Sequence, residues 1–167
     1  GIISVDDLNK ALADAGLKKL PMLYSVTLPW ADKTEVLLPR SHRYGIYNWT
    51  TQQVTLRNDL PKEPYANQDL HTVSGNLAYT IKNNLYVNGT RITDEPEGVV
   101  CGTSVHRNEF GISKGTFWSP SGKMLAFHRM DESMLTQYPL VDITARVGEV
   151  NYVRYPMAGM TSHKVTI

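Results

Sequence analysis

Several places in this 167-residue chain combine residue types that could do chemistry. Gly111-Ile-Ser-Lys-Gly115 has the lettering of a nucleophile elbow, in which a serine is exposed on a sharp strand-to-helix turn. Asp131-Glu132-Ser133 sets two carboxylates side by side, the raw material of acid/base work. Neighbours on a strand face opposite sides, so this pair does not converge. It reads as a sheet-edge turn that forms ion pairs, with Arg129 close by. The 5 histidines are scattered, with no spacing that supplies the serine with a base, and read as surface or hydrogen-bonded side chains. Cys101 is the only cysteine, which rules out an internal disulfide and a zinc site built on cysteines. Between Val100 and Gly102 it reads as a small buried hydrophobe. Asn48-Trp-Thr50 and Asn88-Gly-Thr90 are glycosylation sequons by lettering and turns by chemistry.

Composition narrows the class. Hydrophobic residues make up 41% and charged residues 20%, ordinary values for a globular domain with a core. Lysine and arginine number 17 against 16 acidic residues, a net charge of +1, so nothing points to nucleic acid or an anionic membrane. No apolar run approaches the roughly 20 residues of a membrane span. Gly1 in place of a starting methionine implies a trimmed or processed chain.

The elements that must position any site are mostly strands. Ser4 to Leu17 reads as the one helix: Ser4 can cap it, Asp6 and Asp7 suit its positive end, and Val5, Leu8, Leu12 and Ala15 share a face. Gly16 and Pro21 are stop signals. Then the period changes. Tyr24 to Leu28, Glu35 to Pro39, Arg43 to Trp49 and Gln52 to Leu56 read as a strand meander. The stretch 58–67, with Pro61 and Pro64, is a connector. Val73 to Ile81, Leu85 to Val87 and Thr90 to Thr93 follow as strands, with Asn88-Gly89 a strong hairpin signal. Thr116 to Ser119 and Met124 to Arg129 flank Pro120-Ser-Gly122, a strand–turn–strand unit. Gly75-Asn-Leu-Ala-Tyr79 recurs as Gly122-Lys-Met-Leu-Ala-Phe127, and Leu77 and Leu125 lie 48 residues apart. A repeat near 50 residues, with strands and no helix between units, points to β-propeller blades.

The expected architecture is therefore all-β. A helical lead-in over residues 1–20 precedes an incomplete propeller over 21–167, with about three four-stranded antiparallel blades near 22–56, 66–93 and 98–167. Closed propellers use roughly four to eight blades, so the sequence reads as part of a larger protein. Its open sheet edges invite association, including a homo-oligomer. Trp30, Trp49 and Trp118 read as packing between blades.

Residues 98–167 carry a resemblance. Val105-His-Arg-Asn-Glu-Phe-Gly111, Lys114-Gly-Thr-Phe-Trp-Ser-Pro-Ser-Gly122, Leu125-Ala-Phe, Arg129-Met-Asp-Glu-Ser133 and Val153-Arg-Tyr-Pro-Met-Ala-Gly159, in that order, resemble the N-terminal propeller of dipeptidyl peptidase IV-type proteins of the prolyl oligopeptidase family, bacterial type. The last leads into a strand at His163 to Ile167. Leu17-Lys-Lys-Leu-Pro21 and Asn84-Leu-Tyr-Val87 match more loosely.

The resemblance implies a propeller that caps an α/β-hydrolase domain, where a Ser/Asp/His triad removes dipeptides from peptide N-termini. That domain is absent from these residues, and the Gly111–Gly115 lettering falls beside a propeller strand. The chain itself is expected to be non-catalytic and to need no metal or cofactor. The implied propeller role is to hold the substrate's free amine between paired carboxylates, which supply charge and acceptors to a shielded ammonium. The matching positions are Asn108 and Glu109, so one carboxylate of the pair is replaced by an amide. Against this stands Glu109 as a surface carboxylate paired with Arg107 or Lys114. An arginine that contacts the substrate backbone in the family has two loose matches, Arg40 and Arg43, and the sequence does not choose between them. The implied partners are peptides with a free N-terminus and the missing hydrolase domain, in a periplasmic or secreted setting. The alternative is a propeller-type binding or scaffold module without peptidase function.

Overall fold

The computed structural model describes residues 3–23, 35–40, 43–56, 60–71, 73–105 and 109–167. It divides into two compact units, residues 1–62 with 72–75, and residues 63–71 with 76–167.

The first unit begins with α1, Val5–Asp14. Ser4 sits outside the helix and accepts from the Asp7 amide at 3.1 Å, which satisfies one free first-turn donor. The helix ends three residues earlier than the apolar spacing suggests because Gly16 turns left-handed at φ +70. Leu17 then donates to the Leu12 carbonyl at 2.8 Å and Gly16 to that of Ala13 at 2.9 Å, a Schellman closure. Leu8, Ala11 and Leu12 are buried with Tyr47, and Leu20, Trp49 and Val54 pack around them. Burial and the charge of Asp7 push the Tyr47 hydroxyl's pKa up. Asn9 ties the chain beyond the helix in place: its amide group donates to the Leu20 carbonyl and accepts from the Leu20 amide.

The sheet of this unit is the meander β1 (Glu35–Arg40), β2 (Arg43–Asn48) and β3 (Gln53–Leu56), paired in chain order. Strands were expected at all three places. The strand expected at Tyr24 to Leu28 and the packing of Trp30 lie outside the described residues. Asn48, the first sequon asparagine, accepts from the amides of Thr50 and Thr51, which makes its sequon the β2–β3 turn.

In the second unit β4 (Ala66–Leu70), β5 (Leu77–Ile81), β6 (Asn84–Val87) and β7 (Thr90–Arg91) form a four-stranded antiparallel meander. Asn88 and Gly89 both take positive φ, +48 and +85, the backbone of a tight hairpin turn with the strands' own twist. All residues of β5 are buried, so both faces of that strand are covered. Val73 and Ser74, expected within a strand and counted with the first unit, form a turn that Gly75 follows at φ +74.

The remaining strands depart from the single third sheet expected over 98–167. β8 (Val99–Cys101), β11 (Arg129–Asp131) and β14 (Lys164–Thr166) make one sheet in the order β14-β11-β8. β9 (Thr116–Trp118) pairs with β10 (Leu125–Phe127), and β12 (Thr136–Asp142) with β13 (Glu149–Tyr155). The expected continuous strand Met124 to Arg129 is corrected to two, broken at His128. The His128 amide donates to Gly115, one step on in the β9–β10 register, and its carbonyl accepts from Gly102, one step before the β8–β11 register, each at 2.9 Å, so the chain changes sheet at this residue.

The repeat survives as geometry. Leu70 opposes Leu77 across β4–β5, and Trp118 opposes Leu125 across β9–β10, both pairs displaced by the same 48 positions. Ala78, Leu85 and Cys101 form the buried cluster between these hairpins, with Val87, Trp118, Leu125 and Phe127 packed against it. Cys101 is fully buried, and burial raises its thiol pKa.

Candidate functional site

Glu109 lies in a short 3₁₀-type turn, Glu109–Gly111. Asn108, its expected companion, and Arg107 lie outside the described residues. The turn contains Phe110, which is 86% exposed and left-handed at φ 55, ψ 21. A bulky non-glycine residue in that region is uncommon and costs free energy.

The described residues on both sides of the turn are firmly tied. Ser104 is buried and donates from Oγ to the Ile112 carbonyl at 2.9 Å. Gly115 presses against Thr103: a Cβ there would stand 2.7 Å from the Thr103 amide nitrogen and nearer still to its carbonyl. Only glycine allows the two ends of the 103–115 segment to touch in this way.

Asp69 on β4 completes the anchorage. Its carboxylate accepts from Lys114 Nζ at 3.2 and 3.1 Å and from Thr116 Oγ1 at 2.8 Å. Its backbone carbonyl accepts the Trp118 indole N–H at 3.0 Å. Lys114, one of the two cations the sequence offered to Glu109, thus binds Asp69, and it also lies 5.6 Å from the centre of the Phe117 ring. Nothing in the sequence pattern marked Asp69, which falls just beyond a stretch read as connector.

The other candidates separate cleanly. Ser113 of the elbow-like lettering is followed by strand β9 and not by a helix, so the lettering lacks its structural context. Asp131 accepts from the amide and hydroxyl of Ser133 at 2.9 and 2.6 Å, which lowers its pKa. Arg129 makes a bidentate pair with Glu95, at 2.7 and 2.8 Å, so its carboxylate partner comes from the chain beyond β7. That hydrogen bonding lowers the Glu95 pKa. Arg40 and Arg43 stand opposite each other as the last and first residues of the β1–β2 ladder. Among the described residues no three His, Cys, Asp or Glu side chains gather to hold a metal ion. No helix among them is long and apolar enough to cross a membrane.

The family described as the dipeptidyl peptidase IV (DPP IV) N-terminal region matches residues 32–167. The chain belongs to this family. The resemblance first seen at 98–167 therefore extends over most of the strands of this DPP IV N-terminal region. A solved structure from Bacteroides ovatus, of a protein assigned as a dipeptidyl aminopeptidase IV, is 59% identical with a TM-score of 0.87, and the match covers 98% of this chain. A Porphyromonas gingivalis dipeptidyl peptidase 4 structure is 21% identical over 79% of this chain with a TM-score of 0.56, a likeness of fold. A sequence from Pyrenophora tritici-repentis, assigned as a dipeptidyl-aminopeptidase B, is 36% identical over 70 residues, 35% of this chain. The chain spans 23% and 22% of the two solved proteins and 8% of the fungal one.

Proposed function

We propose that this DPP IV N-terminal region is part of a dipeptidyl peptidase IV-like serine exopeptidase, in which it gates and binds the substrate's amino end. The observation that carries the reading is the 59% identity to the Bacteroides ovatus protein over 98% of this chain. The strands here then belong to an incomplete propeller of about three blades. The bond-breaking residues belong to a hydrolase domain outside these residues, and the parent protein works in the periplasm or outside the cell.

In this reading Glu109, with Asn108 beside it, receives the substrate ammonium. A carboxylate supplies the charge and an amide oxygen a further acceptor. The anchored ends of the 103–115 segment and the strained Phe110 support the assignment, because stored strain gathers at ligand clamps. The test is Glu109→Ala in the full-length protein. KM for a free-amine Gly-Pro chromogenic substrate should rise about 10- to 100-fold, the weight of one charge-assisted hydrogen bond. Amine-blocked substrates should be unaffected, and equal kinetics on both would remove Glu109 from the site.

The second reading, a binding or scaffold module, is favoured by the replacement of one acidic position by Asn108. It predicts no turnover by the full-length protein, which the same assay reads directly.

A further inference from the structure

Strand β4 holds both ends of the segment that carries Glu109. Its pairing with β5 slips between Ala66 and Asp69, a bulge with Asn67 at φ +51. On one side of the bulge, Asn67 donates from Nδ2 to Thr80 Oγ1 at 2.8 Å and to Thr103 Oγ1 at 3.3 Å. Thr103 is where the 103–115 segment departs. On the other side, Asp69 takes Lys114 and Thr116, where the segment returns.

The Asp69 side chain is only 13% exposed, against 52% for Lys114. A shielded carboxylate must keep its donors, because an unpaired one bears the full cost of lost hydration. Three donor contacts from Lys114 and Thr116, with the indole of Trp118 on its carbonyl, leave Asp69 one arrangement. Two side chains of one strand, flanking a bulge, thus reach the two ends of one segment.

We propose that Asp69 is a positioning residue for the amine site. Through Lys114 it sets where the Glu109 turn stands, and so how tightly a free substrate amine is held. This rests on the amine-binding reading of Glu109. Asp69 does not touch the substrate.

The experiment uses the full-length protein and paired Gly-Pro chromogenic substrates, one with a free amine and one acylated. Asp69→Asn weakens the ionic contact and keeps an acceptor for Thr116. Lys114→Gln removes the cation at a half-exposed position and leaves an N–H donor for Asp69. Both should raise KM for the free-amine substrate about tenfold with kcat changed less than about twofold, the mark of lost binding and not of lost chemistry. The acylated substrate should show unaltered kinetics. Lys114→Arg keeps the pair and should restore wild-type KM.

If both variants keep wild-type KM while Glu109→Ala raises it, the positioning role is wrong and the amine site stands. If Glu109→Ala leaves KM unchanged, the amine site itself fails, and this proposal with it. Should Asp69→Asn not fold, Lys114→Gln and Lys114→Arg decide the matter alone.

Discussion

The β4–β7 sheet and the β12–β13 hairpin use the same antiparallel pairing and reach opposite ends of burial. Every residue of β5 is buried, and the Tyr79 ring lies against Tyr65 in an edge contact and against Tyr86 in a stack. In the hairpin seven residue pairs are in register, yet Leu140 is 47% exposed and Tyr152 65%. Its strands line a broad concavity of about 730 Å³ between Tyr138, Leu140, Val153 and Tyr155. The hairpin ladder is unbroken and the sheet's is interrupted by the β4 bulge, yet only the sheet has side chains packed above and below a strand. A ladder fixes register, while burial decides how much a side chain is worth.

The largest test of that contrast is Leu85→Ala, which empties a fully buried site beside Ala78 and Cys101. The expected loss is roughly 2–5 kcal/mol, from lost transfer and cavity terms. Urea unfolding followed by tryptophan fluorescence measures it. A loss near zero would mean that the cluster is not a core.

An intermediate effect belongs to the Arg129–Glu95 pair. The folded pKa of Glu95 lies below its ordinary 4.5, chiefly because Arg129 hydrogen-bonds the ionised form, with loss of hydration and then Asp131 partly opposing this. The pair therefore contributes stability above pH 4.5 and loses it as pH falls through the folded value. Glu95→Gln should be less stable than wild type near neutral pH, and the two should converge well below pH 4.5. Parallel unfolding profiles across that range would contradict the pairing.

The smallest effect should come from the hairpin. Leu140→Ser should change stability by no more than about 0.5 kcal/mol, as at exposed positions generally. The same unfolding experiment reads it, and a loss on the scale of Leu85→Ala would show that the hairpin is covered.

These regions also differ in how far the sequence revealed them. Asn88-Gly89 and the alternation around it announce their hairpin because both carry a backbone requirement that few residues meet. The β9–β10 turn was readable for the same reason, with Gly122 at φ +67. The β12–β13 hairpin was not read at all. Its strands mix exposed apolar and polar residues, so no alternation separates an inner face from an outer one. The break at His128 was also hidden, because both of its bonds reach residues distant in sequence, Gly102 and Gly115. For the proposed amine site, the family resemblance pointed to Glu109 and Asn108, whereas Asp69 and Lys114 are 45 positions apart and meet only through the fold.

The crossing at His128 has one more consequence. A single residue there bonds backward to Gly102, beside β8, and to Gly115, at the start of β9. Two sheets are stitched through adjacent peptide groups, like two cloths held by one thread. Peeling either sheet away pulls on the other, so this corner of the molecule should open as a unit and not strand by strand.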